Sequence, residues 1–308
     1  MSKVKNLAEF SAKELNKFFS SFDTVFSDID GVIVNLFSTP IKGALESLTK
    51  LSKLGKNVYL VTNNTLYEAE HYAKKFQCSG FEISPEHIIN TSKVVIWYLK
   101  KINFHGDAYI IASDWQRSCF QKAGIQTVEQ PKIMKNMTET MEQLLDRPSV
   151  KAVIVDADVN CNWAKMALAI SCLKREEVIY LTGAPDVWLG DKQKKVLALG
   201  PIIDLISKCS GKKPTTCCKP GQILKDYILN ICNISNPQRC LFIGDTIQQD
   251  MKFASICGFT KLFVETGNDT LEDVQEEDTR PDYYISSLGQ LFTAFKETQK
   301  QHTTNHEI

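Results

Sequence analysis

The stretch Thr24-Val-Phe-Ser-Asp28-Ile-Asp30-Gly31-Val32 runs a short apolar segment straight into two carboxylates and a glycine. In an open α/β sheet ligands bind beyond the carboxyl ends of the strands, so Asp28 and Asp30 are the expected catalytic centre. Gly31 lets the backbone turn sharply and come close to a ligand. By itself an Asp-x-Asp-Gly segment also reads as a solvated turn, so its meaning has to come from the rest of the chain. A calcium-binding EF-hand is excluded. That loop needs glycine at its sixth position and glutamate at its twelfth, whereas counting from Asp28 places Gly31 fourth and Thr39 twelfth.

Working outward, apolar and β-branched runs recur at Val25–Phe26, Val58–Val61, Tyr109–Ala112, Ala152–Val155, Val178–Leu181, Leu241–Ile243 and Leu262–Val264, with helical patterns between them. That alternation predicts an α/β protein with a largely parallel, doubly wound sheet. Ile41, Ala44, Leu45, Leu48, Leu51 and Leu54 form one helical stripe, and Ile223, Leu224, Tyr227, Ile228 and Ile231 another; both are read as core packing. Polar residues terminate three of the strands: Asp28, then Thr62-Asn63-Asn64, then Asp245 after Gly244. All three are expected on one edge of the sheet, and Lys219, in Lys219-Pro-Gly just before a helix, could reach the same edge. Competing phosphate motifs are absent. Gly211-Lys-Lys has Ile206 where a P-loop needs its first glycine, and no Gly-x-Gly-x-x-Gly occurs.

With 308 residues, about two domains are expected, and 43% apolar residues are ample for buried cores. Lys plus Arg and Asp plus Glu both number 36, so charge argues for neither nucleic acid nor a membrane surface as partner. The N-terminal residues lack the apolar core of a signal peptide, and no run approaches a membrane span, so a soluble, cytoplasmic protein is expected. The ten cysteines include no Cys-x-x-Cys pair and are read as free thiols. The polar tail from Lys296 to Ile308 is expected to fray.

Asp28-x-Asp30-Gly-Val, Thr62-Asn-Asn, Lys219-Pro and Gly244-Asp245-x-x-x-x-Asp250 occur in this order and resemble the four motifs of the haloacid dehalogenase-like phosphatases. The chain is most similar to the group acting on phosphoglycolate, pyridoxal phosphate and 4-nitrophenyl phosphate. The resemblance extends to the lead-in Phe22-Asp-Thr-Val-Phe, to Asn162-Trp-Ala-Lys165, and to Pro281-Asp-Tyr-Tyr-Ile-Ser-Ser-Leu near the end. It implies a Rossmann-like catalytic core over residues 1–104 plus 201–308 and an inserted α/β cap over 105–200. It further implies magnesium-dependent hydrolysis of small phosphomonoesters through an aspartyl phosphate. Asp28 would be the nucleophile, and Asp30 would protonate the leaving oxygen and then accept a proton from water. Thr62 would donate to phosphoryl oxygens beside Asn63 and Asn64, and Lys219 would offset negative charge. Mg2+ would be held by Asp28, the Asp30 carbonyl and Asp245, with Asp250 standing behind them as support. The expected partner is a small phosphorylated metabolite, and relatives commonly form homodimers through the cap.

The chain departs from the family at Cys218-Lys-Pro, Gly244-Asp-Thr-Ile and Thr62-Asn-Asn-Thr, where the family has Gly-Lys-Pro, Gly-Asp-Arg-Leu and Thr-Asn-Asn-Ser. None of these changes removes a reacting group. The substrate loop departs further, reading Thr182-Gly-Ala-Pro-Asp186 and later Ala198-Leu-Gly200-Pro. Within the loop from Thr182 to Asp191, Asp186 could orient a polar leaving group and Trp188 could cover a ring. The competing reading has Asp186 capping a turn and Trp188 packing the cap's own core. A reading of another class, a catalytically weak phosphate-ligand sensor on the same fold, is opposed by the retained Asp28, Asp30, Lys219 and Asp245.

Overall fold

Runs of valine, isoleucine and phenylalanine without polar alternation can bury both faces, which is what strands of a parallel sheet between two layers require. All seven such runs form strands in the computed structural model, which describes residues 4–35, 39–132, 136–190, 195–291 and 293. The tail from Lys296 to Ile308 and the loop end at Asp191 lie outside the described residues. In chain order the first strands are β1 (Lys5–Asn6), β2 (Thr24–Ser27), β3 (Asn57–Val61), β4 (Ile88–Ile89), β5 (Asp107–Ile111), β6 (Val150–Val155) and β7 (Ile179–Thr182). They are followed by β8 (Trp188–Gly190), β9 (Lys195–Leu197), β10 (Thr215–Thr216), β11 (Cys240–Gly244), β12 (Thr260–Val264) and β13 (Tyr283–Ile285). β1, β4, β10 and β13 are two or three residues long, too short to leave a periodic signal in the sequence.

The main sheet has the order β1-β13-β12-β11-β2-β3-β4 and is parallel throughout. The chain winds outward from β2 through β3 to β4, and later from β11 through β12 to β13 on the other side. The winding therefore reverses between β2 and β11, and a crevice opens past the carboxyl ends at such a reversal. Register decides what lines it. Ser27 pairs with Ile243 on one side and Leu60 on the other, so Asp28, Thr62 and Asp245 leave the sheet at nearly one level.

Side chains alternate across the central strands. Val25, Leu241 and Ile243 join an apolar cluster on one face with Ala44, Leu45, Leu48 and Leu51 of the helix Ala44–Lys53. Phe26 and Phe242 join the cluster on the other face with Ile223, Leu224, Tyr227 and Ile228 of the helix Gln222–Ile231. Both stripes are shorter than their sequence pattern. Ile41 precedes its helix and packs part-buried, while Leu54 and Ile231 lie exposed at the helix ends.

A second parallel sheet, β10-β7-β6-β5, is inserted between β4 and β11. Ala108, Ile110, Ala152, Ile154 and Leu181 on one of its faces complete the cluster that holds Phe26 and Phe242. Tyr109, Ile111, Val153, Val155 and Tyr180 on the other are covered from the helices Trp163–Leu173 and Gly200–Ser210. This inserted layer continues beyond residue 200. The boundary expected at residue 200 falls at the start of a helix: Pro201 sits in its first turn, where a missing N–H costs nothing, and that helix contributes Ile203 and Ile206 before β10 joins the sheet. β8 and β9 form a separate antiparallel hairpin. Among the described residues no helix is long and apolar enough to cross a membrane.

Phe26 stacks with Tyr59 and Phe259, at centroid distances of 5.4 and 5.2 Å, in the cluster shared by both sheets. Phe26→Ala is expected to cost about 3–5 kcal/mol, read as a lowered denaturation midpoint at unchanged slope. A loss under about 1 kcal/mol would show that this shared cluster does not carry the fold.

Candidate active site

Asp28 follows β2 directly, and its backbone N–H donates to the Ile243 carbonyl at 2.9 Å, so the neighbouring strand holds its peptide. Its Oδ1 accepts from the Ile29 N–H at 2.7 Å and its Oδ2 meets Lys219 Nζ at 2.8 Å. Asp30 stands on the turn beyond, where Asn64 Nδ2 donates to its Oδ2 at 3.1 Å. Gly31 is required here on two counts. Its φ of +81° lies in the left-handed region, and a Cβ would fall 2.4 Å from Asp245 Oδ2. Gly267 approaches the same Asp245 carboxylate more closely still, and the Asn268 N–H donates to Asp245 Oδ2 at 3.0 Å.

Lys219 is the hub of the site. It is 1% exposed, and its Nζ lies 2.8 Å from Asp28 Oδ2 and 2.7 Å from Asp250 Oδ1. Asp250 is fully engaged in holding this arrangement. Its Oδ2 accepts from the N–H groups of Asp245 and Thr246 at 3.0 and 3.1 Å and from the Thr246 hydroxyl at 2.8 Å. Asn63 grips the Lys219 backbone at both ends: its Nδ2 donates to the Lys219 carbonyl at 3.1 Å and its Oδ1 accepts from the Lys219 N–H at 3.0 Å. The Thr62 hydroxyl oxygen accepts from the Asn64 N–H at 2.9 Å, a role that does not use its own hydrogen.

The residues expected at the sheet edge therefore converge, but their side chains divide the work differently. Asn63 and Asn64 hold Lys219 and Asp30, respectively, so binding substrate would compete with those bonds.

Four buried or part-buried carboxylates, those of Asp28, Asp30, Asp245 and Asp250, lie around the buried Lys219 ammonium. Burial pushes Asp28 up to about 8, with Asp250 and Asp30 adding to the rise and Lys219 opposing it. Burial also lifts Asp30, against the pull of Asn64 and Lys219. Asp245 is raised well above the ordinary carboxylate range by burial, then by Asp250 and Asp28. Burial works against the charge of Lys219, yet Asp250 and Asp28 outweigh it and hold the ammonium above its ordinary range.

This excess of negative charge is what a divalent cation would relieve. Asp28, Asp245 and Asp250 bring one carboxylate oxygen each within 4.8 Å of one another. Asp245 Oδ1 is buried with no hydrogen-bond partner. A buried carboxylate oxygen left bare is costly, and hard oxygen donors of this kind suit magnesium. The residues present fit such an ion, with Asp28 and Asp245 as donors and Asp250, whose oxygens are spent, as support.

Two polar bridges join the inserted layer to this edge. The Thr65 hydroxyl donates to Asp156 Oδ1 at 2.8 Å, and Gln116 Nε2 donates to Asp156 Oδ2 at 3.1 Å, so the buried end of β6 is tied to the loop after β3. Asp186 reaches the core through a hydrogen bond from Gln249 Nε2, whose Oε1 in turn accepts from Asn63 at 3.0 Å. Asp186 thus does more than cap a turn. Trp188 stands on the hairpin with 56% of its surface exposed, so it does not pack the core of the inserted layer.

Gln249, Thr246, Asn268 and Gly267 escaped the sequence reading. Thr246 and Gln249 occupy the variable positions between Asp245 and Asp250, where spacing names no residue type. Gly267 and Asn268 lie in the loop after β12, between Glu265 and Asp269, in a stretch that belongs to none of the motifs.

Comparison with known proteins identifies the family. A haloacid dehalogenase-like hydrolase family model matches residues 25–126, and a second, HAD-hydrolase-like, matches 216–291. The chain is 26% identical to a 4-nitrophenylphosphatase of Schizosaccharomyces pombe, over 91% of this chain and 97% of that one. It is also 26% identical to phosphoglycolate phosphatase 2 of Arabidopsis thaliana, over 91% and 96% of the two chains. A glycerol phosphate phosphatase of Mycobacterium tuberculosis, solved in complex with magnesium, shares the fold with a TM-score of 0.73 at 20% identity, covering 89% of this chain and 77% of that one. The first match contains Asp28 and Asn63, and the second contains Lys219, Thr246 and Asp250, the residues that meet around the Lys219 ammonium: the chain belongs to the haloacid dehalogenase-like hydrolases.

Proposed function

We propose that the protein hydrolyses small phosphomonoesters through an aspartyl phosphate on Asp28, with magnesium as the resident ion. The observation that carries this reading is the Lys219 ammonium, held between Asp28 Oδ2 at 2.8 Å and Asp250 Oδ1 at 2.7 Å beside the bare Asp245 Oδ1. The names of the relatives support phosphoglycolate-like substrates, with 4-nitrophenyl phosphate as an artificial one, and the motif resemblance adds pyridoxal phosphate-like substrates.

The chemistry divides into two displacements at phosphorus. A carboxylate oxygen of Asp28 attacks the phosphoryl group as the bond to the leaving oxygen breaks, and the carboxyl proton of Asp30 passes to that oxygen. Burial favours the protonated form of Asp30 before this step, and Asn64 fixes the direction in which its carboxyl points. Water then attacks the phosphoryl group and loses its proton to the Asp30 carboxylate, and the bond to Asp28 breaks to release phosphate. Thr62, whose oxygen accepts from the Asn64 N–H, would donate its hydroxyl hydrogen to the transferring group, and Lys219 would offset charge where attacking carboxylate and phosphoryl oxygens meet. Magnesium, when held by Asp28, the Asp30 carbonyl and Asp245, would supply the further positive charge that keeps Asp28 ionised and neutralises phosphoryl oxygens. The remainder of the substrate would face the cap loop around Asp186.

Asp28→Asn is expected to lower magnesium-dependent turnover of 4-nitrophenyl phosphate by a factor on the order of 1,000 or more, because an amide cannot form the acyl phosphate. Near-normal hydrolysis by the folded variant would sink the mechanism. Exhaustive chelation should stop the wild type, and calcium should not restore it, since its looser coordination can hold the attacking carboxylate with both oxygens. Equal rates with calcium and magnesium would count against the assigned donors.

The raised Asp28 value also has a stability consequence in buffer free of divalent ions. Between the ordinary value of 3.8 and about 8, the carboxyl is protonated in the fold and ionised in the unfolded chain. The unfolded state then binds fewer protons, so stability falls as pH rises through that window. An amide at this position cannot ionise and escapes the loss. The melting temperature of Asp28→Asn relative to wild type should therefore climb from about pH 5 to about pH 8. A difference that stays constant with pH would contradict the assignment.

A further inference from the structure

Gln249 immediately precedes Asp250 and has a part-buried side chain whose two ends face different layers of the protein. Its Oε1 accepts from Asn63 Nδ2 at 3.0 Å, and its Nε2 donates to Asp186 Oδ1. Asn63 in turn holds both the N–H and the carbonyl of Lys219, at 3.0 and 3.1 Å. A continuous chain of hydrogen bonds therefore runs from the cap loop through two amide side chains to the peptide groups of the residue that pairs with Asp28. Its direction is determined by chemistry. Asp186 can only accept when ionised, so it turns the NH2 of Gln249 toward the cap and leaves the carbonyl oxygen for Asn63. Reversing the amide would set NH2 against NH2 on one side and oxygen against carboxylate on the other.

We propose that Gln249 is a positioning residue that couples the seating of the cap loop to the alignment of Lys219 between Asp28 and Asp250. The inference rests on the phosphomonoesterase reading above and adds to it a residue that touches neither substrate nor metal donors through its side chain. With the cap loop seated, Asp186 holds Gln249, Gln249 holds Asn63, and Asn63 keeps the Lys219 backbone in the position that brings its Nζ onto both carboxylates. A displaced loop removes the first bond and frees the amide of Gln249 to turn. Charge neutralisation at the attacking carboxylate is thereby strongest when the site is covered.

Gln249→Met keeps the length and bulk of the side chain but makes neither bond, and Gln249→Glu keeps the acceptor for Asn63 while repelling Asp186. Both are compared with wild type, Asp186→Ala and the double variant Asp186→Ala/Gln249→Met, using 4-nitrophenyl phosphate with magnesium and a melting curve for each protein. The expected result is that each Gln249 variant loses roughly tenfold or more in kcat while KM moves by less than about threefold. Asp186→Ala should lower kcat of the wild type by a clearly larger factor than it lowers kcat of Gln249→Met, since the path through Gln249 is already cut in the second background. The proposal is overturned if a folded Gln249→Met or Gln249→Glu keeps kcat within about twofold of wild type, or if Asp186→Ala causes the same loss in both backgrounds. Wild-type protein inactive on 4-nitrophenyl phosphate would overturn the functional reading together with this inference, whereas an active wild type with unaffected variants overturns the inference alone.

Discussion

An ammonium group removed from water costs several kcal/mol unless its partners are well placed, and the architecture of this protein is organised around placing them for Lys219. Asp28 and Asp250 pair with its Nζ; Asn63 holds its peptide; Thr246 and the Asp245 N–H occupy the far oxygen of Asp250. Each of these groups comes from a segment that ends at the carboxyl edge of the main sheet. The pair interaction would fail if any one strand slipped its register, since a shift of one residue turns every side chain to the opposite face. The same apolar residues that bury both sides of β2 and β11 therefore also aim the carboxylates.

The charge count explains why this constellation is suited to phosphoryl transfer rather than to stability. Lys219 does not by itself balance Asp28, Asp30, Asp245 and Asp250; burial pushes three of the four upward, and repulsion between the carboxylates adds to it at Asp28 and Asp245. Glycines at 31 and 267 close tightly around Asp245, leaving its Oδ1 bare in the interior. Residues optimised only for folding would not be left in this condition. The unbalanced charge is localised at the crevice where the sheet reverses its winding, while the apolar clusters on both faces of the sheet hold the surrounding strands.

Much of this was legible in the chain. Long apolar strands announce themselves because burial on both faces demands an unbroken run, and polar residues at three strand ends stand out against it. Asp28, Asp30, Thr62, Lys219 and Asp245 could be picked out because they end strands or precede a helix at one sheet edge, and Asp250 through the resemblance to the family's motifs. Connections between layers were not legible. The inserted layer extends to Thr216 because Gly200-Pro opens a helix, and proline has opposite meanings at a first helical turn and inside a helix. Gln249 carries no sequence signal, because a glutamine becomes informative only when a carboxylate and an amide face its two ends. The short strands β1, β4, β10 and β13 owe their existence to neighbours already in the sheet, so their own residues predict nothing. Trp188 shows the reverse limit: its size offered a reading as core packing of the inserted layer, but the hairpin carries it outward.

The cap loop reaches this edge through Asp186 and Gln249, so the cap loop and the Lys219 backbone share one set of hydrogen bonds. That arrangement has meaning only if Asp28 forms the covalent bond to phosphorus. The most direct measurement is to quench the wild-type protein in acid during steady hydrolysis of 4-nitrophenyl phosphate with magnesium and map its peptides by mass spectrometry. The account predicts one phosphoryl group on the peptide containing Asp28, localised to that carboxylate and absent when substrate is omitted. A phosphoryl group on another side chain, with Asp28 unmodified, would contradict it.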